Sequence, residues 1–484
     1  MTRNTAQRPT VPGRQQISPD ICVIGAGAGG LAAASAAAAF GVNVVLIEQA
    51  KTGGTLARAA LSSKALLSAA ERAQTARSGG RAVRALRFGG DFAGVRDHVR
   101  GAIAAVAPQD ARERVNGLGV RVIEGIGRFT DPSTAAADGF DITARRFVVA
   151  TGSSPVVPAI PGLAAVPFLT EETVFGLAEC PRHLIIIGAG AAGLELAQAF
   201  RRLGAAVTVL EAEAPFSGED AECSDIVLDA LVGEGVVIRW GVSIVAVRRA
   251  LARLHVDIAT ADGTAIIEGS HIMVAAGRRP NLEALDLDAA GIRHRPDGIE
   301  VDRRLRTSNK RVYAIGDVIG RPRLAHLAHH QAGLAIRHAL FRSPVRADRL
   351  VVPRVIYTDP ELAQVGLTED EARDAIGVIR VLRSPYREND RAVATGTTEG
   401  HIKIVTNRRG EIVGVTIVGA GAAENIAAWT LAIDQRLNIE ALAGVIVPYP
   451  SFAEVGKRAA MTYFTRGLTS PLVRRIIGWL RRFD

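Results

Sequence analysis

The chain is poor in the residues that carry thiol and metal chemistry. Its 484 residues include only three cysteines, Cys22, Cys180 and Cys223. They lie far apart and form no C-x-x-C or C-x4-C pair, which leaves no legible metal site and no local redox disulfide. Such usage fits a cytoplasmic chain. Lysine is also scarce: five of the 58 basic residues are lysine and the rest are arginine. The formal charge of +9 is accordingly read as a general arginine bias. Aromatics make up 5% of the chain and no basic run is interleaved with them, so nucleic-acid binding is not expected. The alanine-rich run 31–40 is stopped by Gly41 and Asn43, well short of a membrane span. Residues 1–18 are polar, hold Pro9, Pro12 and Gly13 and have no apolar centre. That reads as a disordered leader, not a signal peptide.

What is present is a globular composition, 48% hydrophobic and 22% charged, at a length that suits three domains. An apolar strand at residues 20–24 runs into Gly25-Ala-Gly27-Ala-Gly29-Gly30 and then an alanine-rich helix. Gly25, Gly27 and Gly30 match G-x-G-x-x-G. The first glycine permits a tight turn, the second lets the backbone approach a pyrophosphate, and the third lets helix and strand pack closely. The helix N-terminus then faces the phosphate charge. A second strand ends in Glu48, 23 residues after Gly25, where a carboxylate can bind ribose hydroxyls. The unit recurs: a strand at 183–187, Gly188, Gly190 and Gly193, and a strand ending in Glu211, again 23 residues on. The chain is expected to bind two dinucleotides.

Residues 53–67 read GGTLARAALSSKALL. With the motifs around it, this stretch resembles the class I pyridine nucleotide-disulfide oxidoreductases, the group of dihydrolipoamide dehydrogenase, glutathione reductase and mercuric reductase. The resemblance covers roughly residues 19–465. Residues 146–155 (RFVVATGSSP) are similar to the segment that returns the chain past the flavin, which implies roles for Thr151, Gly152 and Ser153. Residues 307–318 (TSNKRVYAIGDV) resemble the second FAD segment, with Gly316 and with Asp317 on the ribityl chain. Leu324, Ala325 and His326 resemble the helix start beside the flavin ring, and Gly127 belongs to a loop closing over the adenine side. Gly53, Gly54 and Thr55 suit the FAD phosphate side, and Gly277 lies where the chain returns from the second domain.

The resemblance implies an α/β fold with two Rossmann-like dinucleotide-binding domains, for FAD and NAD, and an α+β C-terminal dimerisation domain. The expected division is a leader at 1–18, an FAD domain at 19–158 and 281–345, an NAD domain at 159–280, a dimerisation domain at 346–468 and a basic amphipathic tail at 469–484. A carboxylate at Glu211 favours NADH, since it accepts from a ribose diol and repels a 2′-phosphate. Lys64 and Glu195 stand where the family pairs a lysine and a glutamate near flavin N5.

Three departures from the family stand out. The family carries two cysteines between its Gly-Gly-Thr and its Ser-Lys, and residues 53–67 contain none. The spacing from Gly54 to Lys64 is also one residue shorter than the family's, which leaves the alignment of Leu56 to Leu61 open. Where the family has an acid-base histidine, this chain has Tyr449, with Pro450 and Glu454 kept. A tyrosine with a pKa near 10 is a poor thiol base at neutral pH. The expectation is an enzyme in which Lys64, Glu195, Tyr449 and Glu454 serve electron transfer from NADH through FAD to a non-thiol acceptor such as a quinone. A non-catalytic flavoprotein subunit, or a dihydrolipoamide dehydrogenase or mercuric reductase-like enzyme with an atypical site, stays open. No metal ligands are expected. The resemblance implies a homodimer, each site completed by the partner.

Residues 470–483 (SPLVRRIIGWLRRF) lie past the matching region. Ser470 suits an N-cap and Pro471 a first helical position. Leu472, Val473, Ile476, Ile477, Trp479, Leu480 and Phe483 share one helical arc, with Arg474, Arg475, Arg481 and Arg482 opposite. The helix either docks on the dimer or touches anionic lipid as an interfacial helix. The second alternative would put the protein at the inner face of a membrane.

Overall fold

The computed structural model describes residues 13–49, 52–78, 92–109, 112–251, 253–468 and 471–482. The strand Ile21–Ile24 is buried at all four positions. A short apolar run without polar alternation suits a strand covered on both faces. It is the middle strand of a five-stranded parallel sheet, in the order Val312–Ala314, Arg146–Val149, Ile21–Ile24, Val44–Glu48, Val120–Glu124. Ile21 pairs with Val44 on one side and Arg146 on the other. Helices Ala28–Ala39 and Ala325–Phe341 pack together over one face. Small alanine side chains let the first of them lie close to the strands and to its neighbour. The other face is covered by an antiparallel meander, Arg128–Asp131, Thr134–Ala137 and Phe140–Thr143, where Phe129 meets Phe147 edge to face.

Gln15–Ile17 joins that meander, parallel to Phe140–Thr143. This corrects the reading of residues 1–18 as a disordered leader. Composition alone missed it because the segment is held by a backbone ladder and by Arg14 on Asp141 at 3.1 Å, not by burying an apolar run. The rest of the leader, residues 1–12, lies outside the described residues.

The second unit repeats the first. Leu169–Thr170, His271–Val274, His183–Ile187, Ala206–Leu210 and Val237–Arg239 form a second parallel sheet. Helix Ala191–Arg202 lies on one face and the meander Ser243–Ala250, Arg253–Thr260, Gly263–Gly269 on the other. The third sheet is antiparallel, in the order Arg354–Ile356, Leu362–Gly366, Ile412–Val418, His401–Asn407, Ile379–Pro385. Helices Ala422–Asp434 and Glu454–Leu468 pack on it.

Helix Thr55–Ser78 joins the first two units. Ala65, Leu66, Ala69 and Ala70 are buried in the cluster that includes Leu194, Ala197 and Phe200 of helix Ala191–Arg202. That packing turns Lys64 toward the second unit. The third sheet is tied to the second unit by a buried ion pair, Lys403 Nζ to Asp220 Oδ1 at 2.8 Å.

Candidate functional site

The two glycine loops are the same object built twice. Gly25 has φ +101°, and a Cβ on it would lie 2.5 Å from Ala150 O. A Cβ on Gly30 would lie 1.7 Å from Gly25 O, while one on Gly27 meets nothing within 4 Å. In the second loop Gly188 (φ +113°) would meet Ala275 O at 2.4 Å and Gly193 would meet Gly188 O at 2.1 Å, and Gly190 again faces open space. The outer glycines are thus demanded by the protein's own packing. The middle ones leave room for a phosphate to approach the backbone. Each acid is anchored to its loop: Glu48 Oε2 accepts from the Ala26 amide at 2.6 Å, and Glu211 Oε2 from the Ala189 amide at 2.7 Å.

Two adjoining cavities of about 360 Å³ and 240 Å³ extend the first loop. They share Gly25, Glu48, Gln49, Thr151, Ser154 and Asn281 as walls. Gly127 lines one end, and a Cβ there would strike Ile24 Cγ2 at 2.9 Å. Gly152, Ser153, Gly316, Asp317 and Ala325 line the other. The Asp317 carboxylate is buried and accepts from Ser153 Oγ at 2.6 Å, and Arg278 Nε donates to that same hydroxyl at 2.8 Å. Leu324 precedes helix Ala325–Phe341 without a side-chain cap, so the first amides of that helix meet the cavity wall unclaimed by a side chain. An elongated groove with an open glycine, an anchored acid and a helix start at each end fits a flavin dinucleotide.

The stretch 53–67 begins against this groove. The Gly53 amide donates to Ala26 O at 2.9 Å, and a Cβ on Gly54 would lie 2.8 Å from Gly27 Cα. Thr55 opens the helix, though its side chain lies outside the described residues. Farther along, Lys64 Nζ lies 2.6 Å from Glu195 Oε2. The other oxygen of the buried Glu195 accepts from the Tyr357 amide at 2.9 Å. The Tyr357 ring lies against the ammonium, 4.1 Å from Nζ to centroid. Burial, with the Glu195 charge nearby, raises the Tyr357 phenol above its ordinary value.

Sequence reasoning found the lysine and the glutamate but assigned no role to Tyr357. It also missed Asn281, whose amide donates to Thr151 O at 2.9 Å and whose Oδ1 accepts from Ser154 at 2.7 Å, pinning the return loop to the groove. Nothing local marks either residue. His326, in the first turn of helix Ala325–Phe341, has its Nε2 3.1 Å from Pro353 O, next to the third unit. Gly277 has φ +95°, as a return turn requires.

No thiol approaches the groove. Cys22 is buried in the central strand, and burial pushes its thiol far up. Cys223 is buried in helix Ala221–Gly233 with His401 Nε2 at 3.6 Å, and Cys180 is half-buried with Leu203 O at 3.8 Å. Tyr449 is 71% exposed on the third unit and donates to Asp390 Oδ2 at 2.7 Å. That bond holds the phenol above its ordinary value, so it stays protonated at neutral pH. Glu454 caps back on the Ser451 amide at 3.3 Å. Within one protomer, then, Tyr449 and Glu454 pair with their own unit and not with Lys64.

A larger cleft, about 970 Å³, lies between helix Ala221–Gly233 and residues 396–401. Two of its arginines are already committed, Arg202 to Glu234 and Asp359, and Arg383 to Glu222. Among the described residues no group of three or more His, Cys, Asp and Glu side chains could hold a metal ion.

Residues 19–332 match the model of the pyridine nucleotide-disulphide oxidoreductase family, and residues 352–460 match the dimerisation domain of the same family. The chain is 32% identical to a mercuric reductase of Staphylococcus aureus over 92% of its own length and 82% of the relative's. It is 35% identical to dihydrolipoyl dehydrogenase 3 of Pseudomonas aeruginosa, over 93% and 99%. Among solved structures it is similar to LpdA of Mycobacterium tuberculosis, with a TM-score of 0.81 at 29% identity, covering 92% of this chain and 99% of that one.

Proposed function

The chain belongs to the pyridine nucleotide-disulphide oxidoreductase family, and on that premise we propose that it takes reducing equivalents from NADH and delivers them, through FAD, directly to a non-thiol acceptor. A quinone or a similar redox-active organic compound is the acceptor class. Proteins of the family use FAD and NAD(P)H, and the matched dimerisation domain supports a homodimer. One observation carries the reading. Helix Thr55–Ser78 keeps Lys64 on Glu195 at 2.6 Å, yet neither it nor the glycines before it carry a cysteine. The pair that would face the reduced flavin is present, and the usual thiol relay has no residues to run on.

Gly25, Gly27, Gly30, Glu48, Gly53, Gly54, Gly127, residues 151–153, Gly316 and Asp317 would hold the FAD, within 19–158 and 281–345. Gly188, Gly190, Gly193 and Glu211 would hold NADH, within 159–280. When bound, FAD supplies a two-electron centre between the nicotinamide and the acceptor. The chain's own groups bind, orient and compensate charge. Lys64 would supply a fixed ammonium to offset the negative charge of a reduced flavin, and Glu195 and the Tyr357 ring keep that ammonium in place. Glu211 selects the ribose diol of NADH over a 2′-phosphate. Across the dimer, Tyr449 and Glu454 of residues 346–468 line the acceptor side of the partner's groove. The Tyr449 phenol is protonated there with its one O–H given to Asp390, so it would line the site as a polar wall rather than act as a base.

Stopped-flow reduction of the holoenzyme by NADH, followed by reoxidation against menadione, oxygen and lipoamide, tests this. The expected result is reduction within seconds, turnover on menadione and none on lipoamide. Turnover on lipoamide overturns the proposal. Flavin that NADH cannot reduce points instead to a non-catalytic flavoprotein subunit.

A further inference from the structure

Beyond the third unit the chain forms helix Pro471–Leu480. Its large apolar side chains are substantially exposed: Ile476, Ile477, Trp479 and Leu480 are 48, 47, 57 and 52% exposed. At about 100° per residue these four and Val473 fall on one arc. Arg474, Arg475, Arg481 and Arg482 fall on the other and are exposed. The charge bias is not confined to the helix. From Val455 to Phe483 there is no aspartate or glutamate, while Lys457, Arg458, Arg466 and the four tail arginines are all basic.

Whatever covers this helix must therefore be apolar at its centre and negative at its flanks. A second copy of the helix would cover the apolar arc but bring no counter-charge to the arginines. A bilayer surface with anionic headgroups supplies both, with acyl chains for the apolar arc and phosphates for the arginines that border it. Ten helical residues are too few to span a bilayer, and no helix among the described residues is long and apolar enough to do so. The orientation left is in the plane of the surface.

We propose that helix Pro471–Leu480 binds anionic membrane surfaces, with Ile476, Ile477 and Leu480 entering the acyl boundary and the arginines at headgroup level. This rests on the preceding reading only for its consequence: a quinone-reducing protein held at the bilayer has its acceptor concentrated beside it.

Flotation of the full-length holoprotein with phosphatidylglycerol-containing vesicles, and with vesicles of phosphatidylcholine alone, tests it. The anionic vesicles are expected to carry at least about tenfold more protein, and raised salt removes the difference. Replacing an arginine by glutamine is expected to weaken binding by up to about fivefold per charge. The double variant Ile476→Glu, Leu480→Glu is expected to lose flotation altogether. Unchanged flotation in that variant overturns the proposal, as does equal binding to neutral vesicles. A change in the size of the assembly, with no vesicle binding by the wild type, assigns the apolar arc to a second copy and overturns it too. Menadione turnover, measured in solution on the same samples, separates the two readings. It should be unchanged in the tail variants, and its loss in the wild type would sink the acceptor assignment without touching the flotation result.

Discussion

Lys64 Nζ and Glu195 Oε2 meet at 2.6 Å across the seam between the first and second nucleotide sheets. The pair joins residues from different domains, so its geometry depends on how helix Thr55–Ser78 packs on helix Ala191–Arg202. The two partners are not equivalent. Glu195 is buried and also holds the Tyr357 amide, whereas the lysine is half-exposed. Lys64→Met leaves a buried carboxylate with one backbone donor, and a loss of about 3 kcal/mol in stability is expected. Glu195→Gln removes the charge but can keep the Tyr357 bond, so it should unfold less readily than Lys64→Met. Both should slow flavin reduction by NADH, by about 100-fold for the lysine variant. Denaturant titration and stopped-flow absorbance check the two orders. Equal stabilities and wild-type reduction would leave the pair with no role in the half-reaction.

The glycines separate packing from ligand room. Gly30→Ala would put a methyl group 1.7 Å from Gly25 O, and Gly27→Ala would meet nothing. Gly30→Ala should disrupt the loop and yield protein without FAD and with a lower melting temperature. Gly27→Ala should keep its melting temperature without cofactor and still bind FAD weakly, because its methyl group occupies only the phosphate's space. The ratio of flavin to protein absorbance, read alongside thermal melts, distinguishes the two.

Much of this was legible because it is written locally. The glycine spacing, the acid 23 residues on and the change to antiparallel strands after residue 345 each need only a short window. The Lys64–Glu195 pair joined residues far apart, and it came from resemblance rather than from any pattern in the chain. Asn281 and Tyr357 were missed for the complementary reason. Their contacts, to Thr151 and to Lys64, exist only once segments far apart in the chain have packed. The strand Gln15–Ile17 was missed because its hydrogen bonds go to Phe140–Thr143, and the partner of an edge strand leaves no mark on its sequence.

Glu211 should govern the choice of nicotinamide. Its carboxylate is oriented by the Ala189 amide at 2.7 Å and the Ala212 amide at 2.8 Å. Glu211→Ala removes the ribose acceptor and the charge that repels a 2′-phosphate. The KM for NADH should rise by about tenfold, the equivalent of roughly 1.4 kcal/mol, and the preference for NADH over NADPH should narrow. Steady-state kcat/KM for both donors measures it. An undiminished preference would place selection elsewhere.

His401 should make the junction between the second and third units sensitive to acid. Its Nε2 lies 3.4 Å from Glu222 Oε1 and 3.6 Å from Cys223 Sγ, with Lys403 and Arg383 nearby. Burial pushes the imidazole below its ordinary value, with Glu222 opposing and Lys403 and Arg383 adding to the shift. As pH falls below about 6.5 the unfolded chain takes up a proton that the folded imidazole resists. The contribution to stability is therefore present above that pH and lost on acidification. Glu222, held at about 2 by Arg383 first and by Lys403, stays ionised through this window. Melting temperatures recorded between about pH 7 and pH 5 should fall less steeply for His401→Gln than for the wild type. Parallel curves would remove His401 as the cause.

The thiols give the sharpest test of the acceptor assignment. Cys22 and Cys223 are buried, and burial drives both thiols well above their ordinary value, so neither offers a thiolate. Cys180 is half-buried, and its thiol is also raised by burial. A relay needs a thiolate beside the flavin and a second sulfur to pair with it, and none of the three is within helix Thr55–Ser78. The triple variant Cys22→Ala, Cys180→Ala, Cys223→Ala should keep NADH–menadione turnover within about twofold. It should lose some stability, about 1 kcal/mol for each buried sulfur left unreplaced. Iodoacetamide, which reacts with thiolates, should leave the wild-type rate unchanged under native conditions. Activity lost in the triple variant while its bound FAD and melting transition are kept would mean that a cysteine takes part in the second half-reaction. In that case the acceptor would be reached through sulfur after all.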